Sequence, residues 1–330
     1  MTTSEQGLET FGARYDHRNE RRNFFKGVIG AAAMGAGAMA LSQRAAAQAA
    51  VTDLDILNFA LNLEYLEAQF YAFALTGAGL TPDLLTGTQT PGAVTGARKA
   101  NLSDPAVIQY VREIAADEAA HVAALRQALG SAAVSQPAID LSPTVFTALA
   151  QAADIDLDDL GGSFDPYAND DNFLLAAYIF EDVGVTAYKG ASPLLTSIDL
   201  VDAAAGLLAA EAFHAGLIRS TLYRRGIDVP DLRDYADKIS DLRDELDGDD
   251  DADGPPQRVA AADQGISPIN SIYGTASNIA PTDPRSIVPS RTAEQVHNIV
   301  YLTSDQVTSG GFFPAGTNNA NPALRRSGAN

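Results

Sequence analysis

Hydrophobic residues recur at alternating steps of three and four positions in four separate stretches of the chain. This period places them on one face of an α-helix, so each stretch predicts an amphipathic helix. The predicted helices cover residues 53–76, 104–129, 170–189 and 200–225. Alternating steps of three and four also suit knobs-into-holes packing, so we expect the four helices to form one bundle.

A glutamate interrupts the apolar face of each predicted helix near its midpoint. In the first and third helices the face consists of Leu54, Leu57, Leu61, Glu64, Ala68, Tyr71 and Leu75, and of Leu174, Ala177, Glu181, Gly184 and Tyr188. In the second and fourth it consists of Val107, Val111, Ile114, Glu118, His121 and Leu125, and of Ala204, Leu207, Glu211, His214 and Ile218. An ionised carboxylate inside an apolar core is costly unless it is paired, protonated or bound to a metal. Four of them therefore predict a shared polar centre.

Residues that start and stop helices agree with these limits. Asp53, Asp104 and Asp170 lie where N-caps or first-turn acids belong, and Gly77 and Gly130 lie where helices end.

The connections between the helices differ in length. About 40 residues separate the second and third helices, and Ser142-Pro143 predicts a short helix within them. A connection of this length is the crossover of some four-helix bundles. The bundle is expected to occupy residues 50–225.

Residues 226–330 have a different character. Helices are predicted at 230–246 and 293–302, separated by an acidic stretch and a segment rich in Pro, Asn and Ser. We interpret this part as an extension packed on the bundle, with Phe312 and Phe313 as anchors; a flexible tail is the alternative.

Two of the four helices carry a histidine three positions after the glutamate. Positions i and i+3 share a helix face, so Glu118 and His121, and likewise Glu211 and His214, can point inward together. With one more Glu from each remaining helix, this is the ligand set of two-metal carboxylate bundles. The predicted metal ligands are Glu64, Glu118, His121, Glu181, Glu211 and His214.

Other interpretations of these residues remain open. A single Glu-x-x-His is usually a surface pair, and buried Glu/His pairs without metal would also fit. Glu67 competes with Glu64 as the ligand of the first helix but lies one step off its apolar face. Tyr71 and Tyr188 each follow a ligand glutamate by seven residues, and we favour packing and hydrogen bonding near the metals over a redox role.

The composition narrows the choice of metal and partner. Cysteine is absent, so any metal is held by carboxylate and imidazole, which suits iron, manganese or zinc better than copper(I). The expected cofactors are two divalent metal ions, iron or manganese. The formal net charge is −20 in 330 residues. Such a surface repels nucleic acid and anionic lipid, and we expect neither as a partner. A homo-oligomer is left open.

Two further sequence features give only weak evidence of a binding site. Asp249, Asp251, Asp253 and Gly254 imitate the start of an EF-hand loop, but the twelfth position is Ala260 rather than Glu, so a solvated loop is favoured. His297 lies in the last predicted helix and is expected to be structural.

The N-terminal 49 residues have the order of a signal peptide. Arg21-Arg22-Asn23-Phe24-Phe25-Lys26 precedes an apolar run rich in Ala and Gly, and small residues follow at the expected cleavage site near Ala49. The Arg pair resembles a twin-arginine signal. The apolar run is shorter than the roughly 20 residues that span a bilayer. We therefore expect export through the twin-arginine machinery to the periplasm or outside, with no membrane anchor after cleavage.

The bundle motifs resemble the ferritin-like superfamily. The stretch from Asn58 to Tyr71, together with Asn298–Leu302 and Gly310–Gly316, is similar to an exported ferritin-like domain family that includes desiccation-related proteins. The resemblance implies an all-α ferritin-like four-helix bundle and a bound metal pair. It leaves the reaction open, because superfamily members oxidise iron, dismute peroxide or activate dioxygen.

The expected function is that of a two-metal oxidoreductase, in which Glu118 and Glu211 bridge the ions and the other four residues are terminal ligands. Its substrate would be peroxide, dioxygen or ferrous iron. The alternative is a non-catalytic stress protein in which the metal only pins the helices. Iron storage is least favoured, because the long loops and extension would obstruct a closed shell.

Overall fold

A computed structural model describes residues 51–248 and 263–330. The predicted signal peptide and the acidic EF-hand-like repeat both lie outside the described residues, and those two predictions remain predictions.

The described residues form seven α-helices joined by loops, short 3₁₀ turns and two small strand pairs. The helices are α1 (Asp53–Thr76), α2 (Pro105–Leu129), α3 (Pro143–Ala152), α4 (Asp170–Ala191), α5 (Ile198–Arg225), α6 (Asp231–Asp247) and α7 (Ala293–Tyr301). The strands are β1 (Val94–Thr95), β2 (Ile139–Asp140), β3 (Ile269–Ser271) and β4 (Gly274–Ala276). The all-α prediction is confirmed, and every predicted helix agrees with its observed limits within two residues.

Four long helices form the bundle. Helix α1 packs along α2, α4 packs along α5, and the two pairs contact each other through α1 with α4 and α2 with α5. The crossover from α2 to α4 contains α3, which begins at Pro143 after Ser142, as the sequence predicts.

Helix ends follow local chemistry. The Thr52 hydroxyl accepts the amide hydrogen of Asp55 and completes a capping box, so Asp53 lies in the first turn of α1. Asp104 caps α2, and Asn169 caps α4. Gly77 ends α1 with φ +84°, a left-handed conformation that glycine adopts at low cost.

The inner helices differ from the outer ones in burial. Helices α1 and α4 are buried on nearly every side, whereas α2 and α5 keep a solvent face rich in alanine. The reason is that the C-terminal extension, the loop after α1 and the crossover together cover the outer side of α1 and α4. Asn62 donates to the Asn318 carbonyl at 2.7 Å, and Phe312 and Phe313 are fully buried.

Two positions of α1 differ from its predicted apolar face. Leu54 was expected inside but is 47% exposed in the first turn, where Asp53 instead accepts hydrogen bonds from the turn at 196–197. Glu67, expected off the face, is buried. A one-sided pattern cannot describe a helix whose second side is covered by residues more than 230 positions away.

The strands tie loops together. Strand β1 pairs in parallel with β2, so the loop after α1 is fixed to the crossover, and β3 and β4 form an antiparallel hairpin in the extension.

Helix α5 is, among the described helices, the one long and apolar enough to cross a membrane. In this structure α5 is a bundle helix, and its Glu211, His214 and Arg219 side chains are buried.

Candidate metal centre

The six predicted ligand residues come together at the middle of the bundle. Each comes from the central turns of its helix: one Glu from α1, one from α4, and a Glu-x-x-His pair from each of α2 and α5. All six side chains are buried, and the four glutamates are at most 1% exposed: Glu64, Glu118, His121, Glu181, Glu211 and His214. Because i and i+3 share a face, each Glu and His of a pair points to the same centre.

Their donor atoms form two overlapping groups of four. One group consists of Glu64, Glu118, His121 and Glu211, and the other of Glu118, Glu181, Glu211 and His214. Within each group the donor atoms lie within 4.8 Å of one another. Both groups contain Glu118 and Glu211, the two residues that the sequence predicts to bridge a pair of ions.

The donor atoms are poorly satisfied by the protein itself. Among the buried atoms without a hydrogen bond are both carboxylate oxygens of Glu118 and Glu211, and Nδ1 of His121 and His214. The ion-pair distances are short, at 3.0 Å from His214 Nδ1 to Glu118 Oε1 and 3.3 Å from His121 Nδ1 to Glu64 Oε2, but they lack hydrogen-bond geometry. Unpaired buried polar atoms are costly, so this donor set fits divalent cations.

Without metal, the closely spaced carboxylates and imidazoles of the centre shift one another's pKa values. Burial would lower the pKa of both imidazoles, but Glu118 and the adjacent carboxylates reverse this, raising the pKa of His121 to about 10 and of His214 to about 11. Burial and the Glu118 charge raise the pKa of Glu64 to about 8. Burial would raise the pKa of Glu118, yet the two imidazoles hold it at about 2. Protons thus occupy positions where metal ions would bind.

Two tyrosines bind the carboxylates crosswise. The Tyr71 hydroxyl of α1 donates to Glu181 of α4, and the Tyr188 hydroxyl of α4 donates to Glu64 of α1. The sequence placed each Tyr beside the glutamate of its own helix, and the structure shows that each serves the opposite one. Burial and the accepting carboxylates raise the pKa of both phenols, so both remain protonated donors.

Asp117 is a site residue that sequence reasoning missed. Its Oδ2 lies 3.1 Å from Nε2 of His214, and its side chain is 48% exposed. A carboxylate on the outer nitrogen orients an imidazole and keeps its inner nitrogen free for metal. The signal was present, since Asp117 directly precedes Glu118, but its partner lies on another helix.

Glu67 is a fifth buried carboxylate beside the centre. Gly184 of α4 lies between Glu67 and Glu211, because a β-carbon there would contact Glu67 Oε1 at 3.4 Å and overlap Glu211 Oε2. Burial and the neighbouring glutamates raise the pKa of Glu67 well above its ordinary value, so it is held as the neutral acid. Glu67 also lines a cavity of about 10 Å³ beneath Phe312, roughly the space of one water molecule.

His297 lies apart from the centre. It is fully buried and makes hydrogen bonds to the Ala293 carbonyl at 2.7 Å and to Thr317 Oγ1 at 2.9 Å. These contacts give it the structural role that the sequence predicted.

Comparison with known proteins agrees with this architecture. Residues 52–224 match the family described as "Ferritin-like domain". The chain is 34% identical to the "Desiccation-related protein PCC13-62" of Craterostigma plantagineum, over 83% of this chain and 85% of that protein. It is 32% identical to the "Ferritin-like catalase Nec2" of Nesocodon mauritianus, over 81% and 83% of the two chains. No solved structure matches the chain significantly.

Proposed function

Since the chain belongs to the ferritin-like family, we propose that it is a two-metal oxidoreductase that decomposes hydrogen peroxide. The observation that carries the proposal is the pair of overlapping ligand groups that share Glu118 and Glu211. A structural metal needs about four ligands and one ion. Six ligands arranged around two positions exceed what a structural pin requires.

Peroxide is the substrate that the comparisons favour. A relative that aligns over most of its length is named a ferritin-like catalase. The catalase reaction converts two molecules of hydrogen peroxide into two of water and one of dioxygen, so it needs a centre that takes up and returns two electrons. When bound, a pair of iron or manganese ions supplies this electron exchange, and both metals suit an oxygen and nitrogen donor set.

The residues of this chain would prepare the centre for that chemistry. Tyr71 and Tyr188 hold Glu181 and Glu64 in position by hydrogen bonds across the bundle. Asp117 orients His214 from the half-exposed side of the centre, between α2 and α5. The buried ligands exclude bulk water, which strengthens their electrostatic interactions.

The experiment loads the purified mature chain with Mn²⁺ or Fe²⁺ and measures dioxygen release from peroxide. Oxidation of added Fe²⁺ is followed in parallel. Glu118→Ala is expected to abolish dioxygen release while circular dichroism shows an intact bundle. Glu245→Gln, an exposed carboxylate change on α6, is the matched control and should retain activity. A wild type that holds two ions and releases no dioxygen would overturn the peroxide assignment.

A second candidate function is non-catalytic protection during drying. It is favoured by the relative named as desiccation-related. In that case the metal only pins the helices, so metal removal should lower the melting temperature and the loaded protein should be inert to peroxide, dioxygen and Fe²⁺.

The site of action is proposed to be outside the cytoplasm. Support comes from the Arg21-Arg22-x-Phe24-Phe25-Lys26 run and the apolar stretch that follows it. Replacing both arginines by lysine should block export in a twin-arginine-competent host. Undiminished exported product would contradict this route.

A further inference from the structure

The two halves of the centre are related by an internal repeat, and the repeat is broken beside the histidines. Glu118-x-x-His121 on α2 corresponds to Glu211-x-x-His214 on α5. The residue before the first motif is Asp117, whereas the residue before the second is Ala210. The two ligand groups are therefore alike in their donors and different in what supports them.

Because of this difference, the outer nitrogens of the two imidazoles have different hydrogen-bond partners. Nε2 of His214 faces Asp117 Oδ2 at 3.1 Å, which fixes the ring with Nδ1 toward Glu118 and Glu181. Nδ1 of His121 faces Glu64, Glu118 and Glu211 in the same manner. Within residues 51–248 and 263–330, however, Nε2 of His121 makes no hydrogen bond to the protein. The His121 side chain is also the more exposed of the two, at 10% against 5%.

We infer that the two metal positions are unequal, and that Asp117 makes the His214 position the tighter one. A carboxylate on the outer nitrogen of a ligating histidine fixes its tautomer and increases its basicity, and loss of such a partner typically weakens metal binding 10- to 100-fold. The position formed by Glu118, Glu181, Glu211 and His214 fills first and retains its ion. The position formed by Glu64, Glu118, His121 and Glu211 fills second and exchanges. This inference rests on the proposed two-metal site.

The internal repeat also suggests a substitution that should strengthen metal binding instead of weakening it. In the internal repeat, Ala210 on α5 corresponds to Asp117 on α2, and Ala210 is only partly buried, so a carboxylate can be placed there. Ala210→Asp should give His121 the partner that it lacks.

The experiment titrates the metal-free mature chain with Mn²⁺ alone and follows free Mn²⁺ by electron paramagnetic resonance. The wild type should bind two ions in two steps, with the first at least about tenfold tighter. Asp117→Ala should weaken the first step by about 10- to 100-fold and bring the two steps together, with Asp117→Asn in between. Ala210→Asp should tighten the second step. Glu113→Gln, an exposed carboxylate change one turn away on α2, is the control and should change neither step.

The outcomes separate this inference from the proposed function. Two ions bound with equal affinity in the wild type, or no change in either step with Asp117→Ala and Ala210→Asp, would overturn the inequality while leaving a two-metal site. Failure to bind two ions at all would overturn the proposed function itself. Circular dichroism shows whether each variant folds. If Asp117→Ala or Ala210→Asp does not fold, the other of the two variants tests whether the metal positions are unequal.

Discussion

The protein buries two charged clusters that are neighbours along one helix and opposite in their chemistry. Glu181 and Asp182 are consecutive residues of α4. Glu181 points to the bundle centre, where five carboxylates surround two imidazoles. Asp182 points the other way, into a cluster of three arginines and three aspartates contributed by α4, α5, α6 and the extension: Arg219, Arg243, Arg291, Asp182, Asp247 and Asp263.

The second cluster carries its own cations. Arg243 donates to Asp182 at 2.9 Å and also to Asp263, while Arg219 donates to Asp182 at 2.7 Å. All six side chains are at most 5% exposed, and the formal charges cancel. The charges of this cluster are therefore paired within the chain, although Nε of Arg219 and of Arg243 makes no hydrogen bond.

The bundle centre has no such cations. In the described part of the chain no lysine or arginine pairs with its carboxylates, and six of the eight oxygens of the four ligand glutamates have no hydrogen bond. The same fold that matches each aspartate of this cluster with an arginine leaves the glutamates of the centre without a lysine or arginine partner. The difference supports the proposal that metal ions supply positive charge to the centre, where only the two imidazoles can carry it otherwise.

The largest expected effect lies in the arginine cluster. Arg243→Ala leaves Asp182 and Asp263 buried without their shared partner, which should cost about 3–5 kcal/mol of unfolding free energy. The melting temperature should fall by roughly 10 °C in calorimetry. Arg224→Ala, an exposed change on α5, should stay within about 0.5 kcal/mol. Equal effects of the two substitutions would show that the cluster contributes no special stability.

Neutralising a buried charged residue of the bundle centre should affect metal affinity more than stability, unlike Arg243→Ala. Burial and the adjacent glutamates raise the pKa of Glu211 well above its ordinary value, which favours its neutral form in the metal-free protein. Glu211→Gln should therefore change the metal-free melting temperature little. It should weaken binding of the metal pair by about 100-fold or more, since even outer partners of ligands contribute 10- to 100-fold. Competition with a chelator measures the second effect, and unchanged metal affinity would exclude Glu211 as a ligand.

A smaller effect is expected where the centre meets the backbone of α4. The β-carbon of Gly184→Ala would overlap Glu211 Oε2, and overpacking of this kind costs about 1–3 kcal/mol. Metal affinity should fall with it, because Glu211 must move. Gly206→Ala on α5 adds its β-carbon to open space and should be neutral or stabilising. Denaturant unfolding of both variants compares them, and a Gly184→Ala protein as stable as Gly206→Ala would show that Glu211 is free to shift.

Metal binding should also depend on pH. His121 and His214, with pKa values raised to about 10 and 11, and Glu64, raised to about 8, hold protons at pH 7 that metal must displace. Because these pKa values are raised, affinity should increase with pH, by about tenfold per ion for each unit between pH 6 and 8. Calorimetry in buffers of different ionisation enthalpy counts the protons released. Affinity independent of pH would contradict ligation by these histidines.

The centre could be predicted from sequence because its signals are local. Glu118 and His121 lie one turn apart, and helix geometry alone puts them on one face. The limits of α1 followed equally from its period and from Gly77. Asp117 was missed because its partner His214 is 97 positions away. Glu67 was misplaced because the covering extension makes both sides of α1 internal. The arginine cluster joins Arg291 to Asp247 and Asp263 across 44 and 28 positions, and no periodic pattern encodes such pairs.

The most direct test of the account is a crystal structure of the natively produced protein with anomalous diffraction at the iron and manganese edges. The account predicts two metal ions in the bundle centre, both bound by Glu118 and Glu211, with His121 on one and His214 on the other. A centre without metal, in which the imidazoles are hydrogen-bonded to the glutamates, or a single ion held by four ligands, would contradict it.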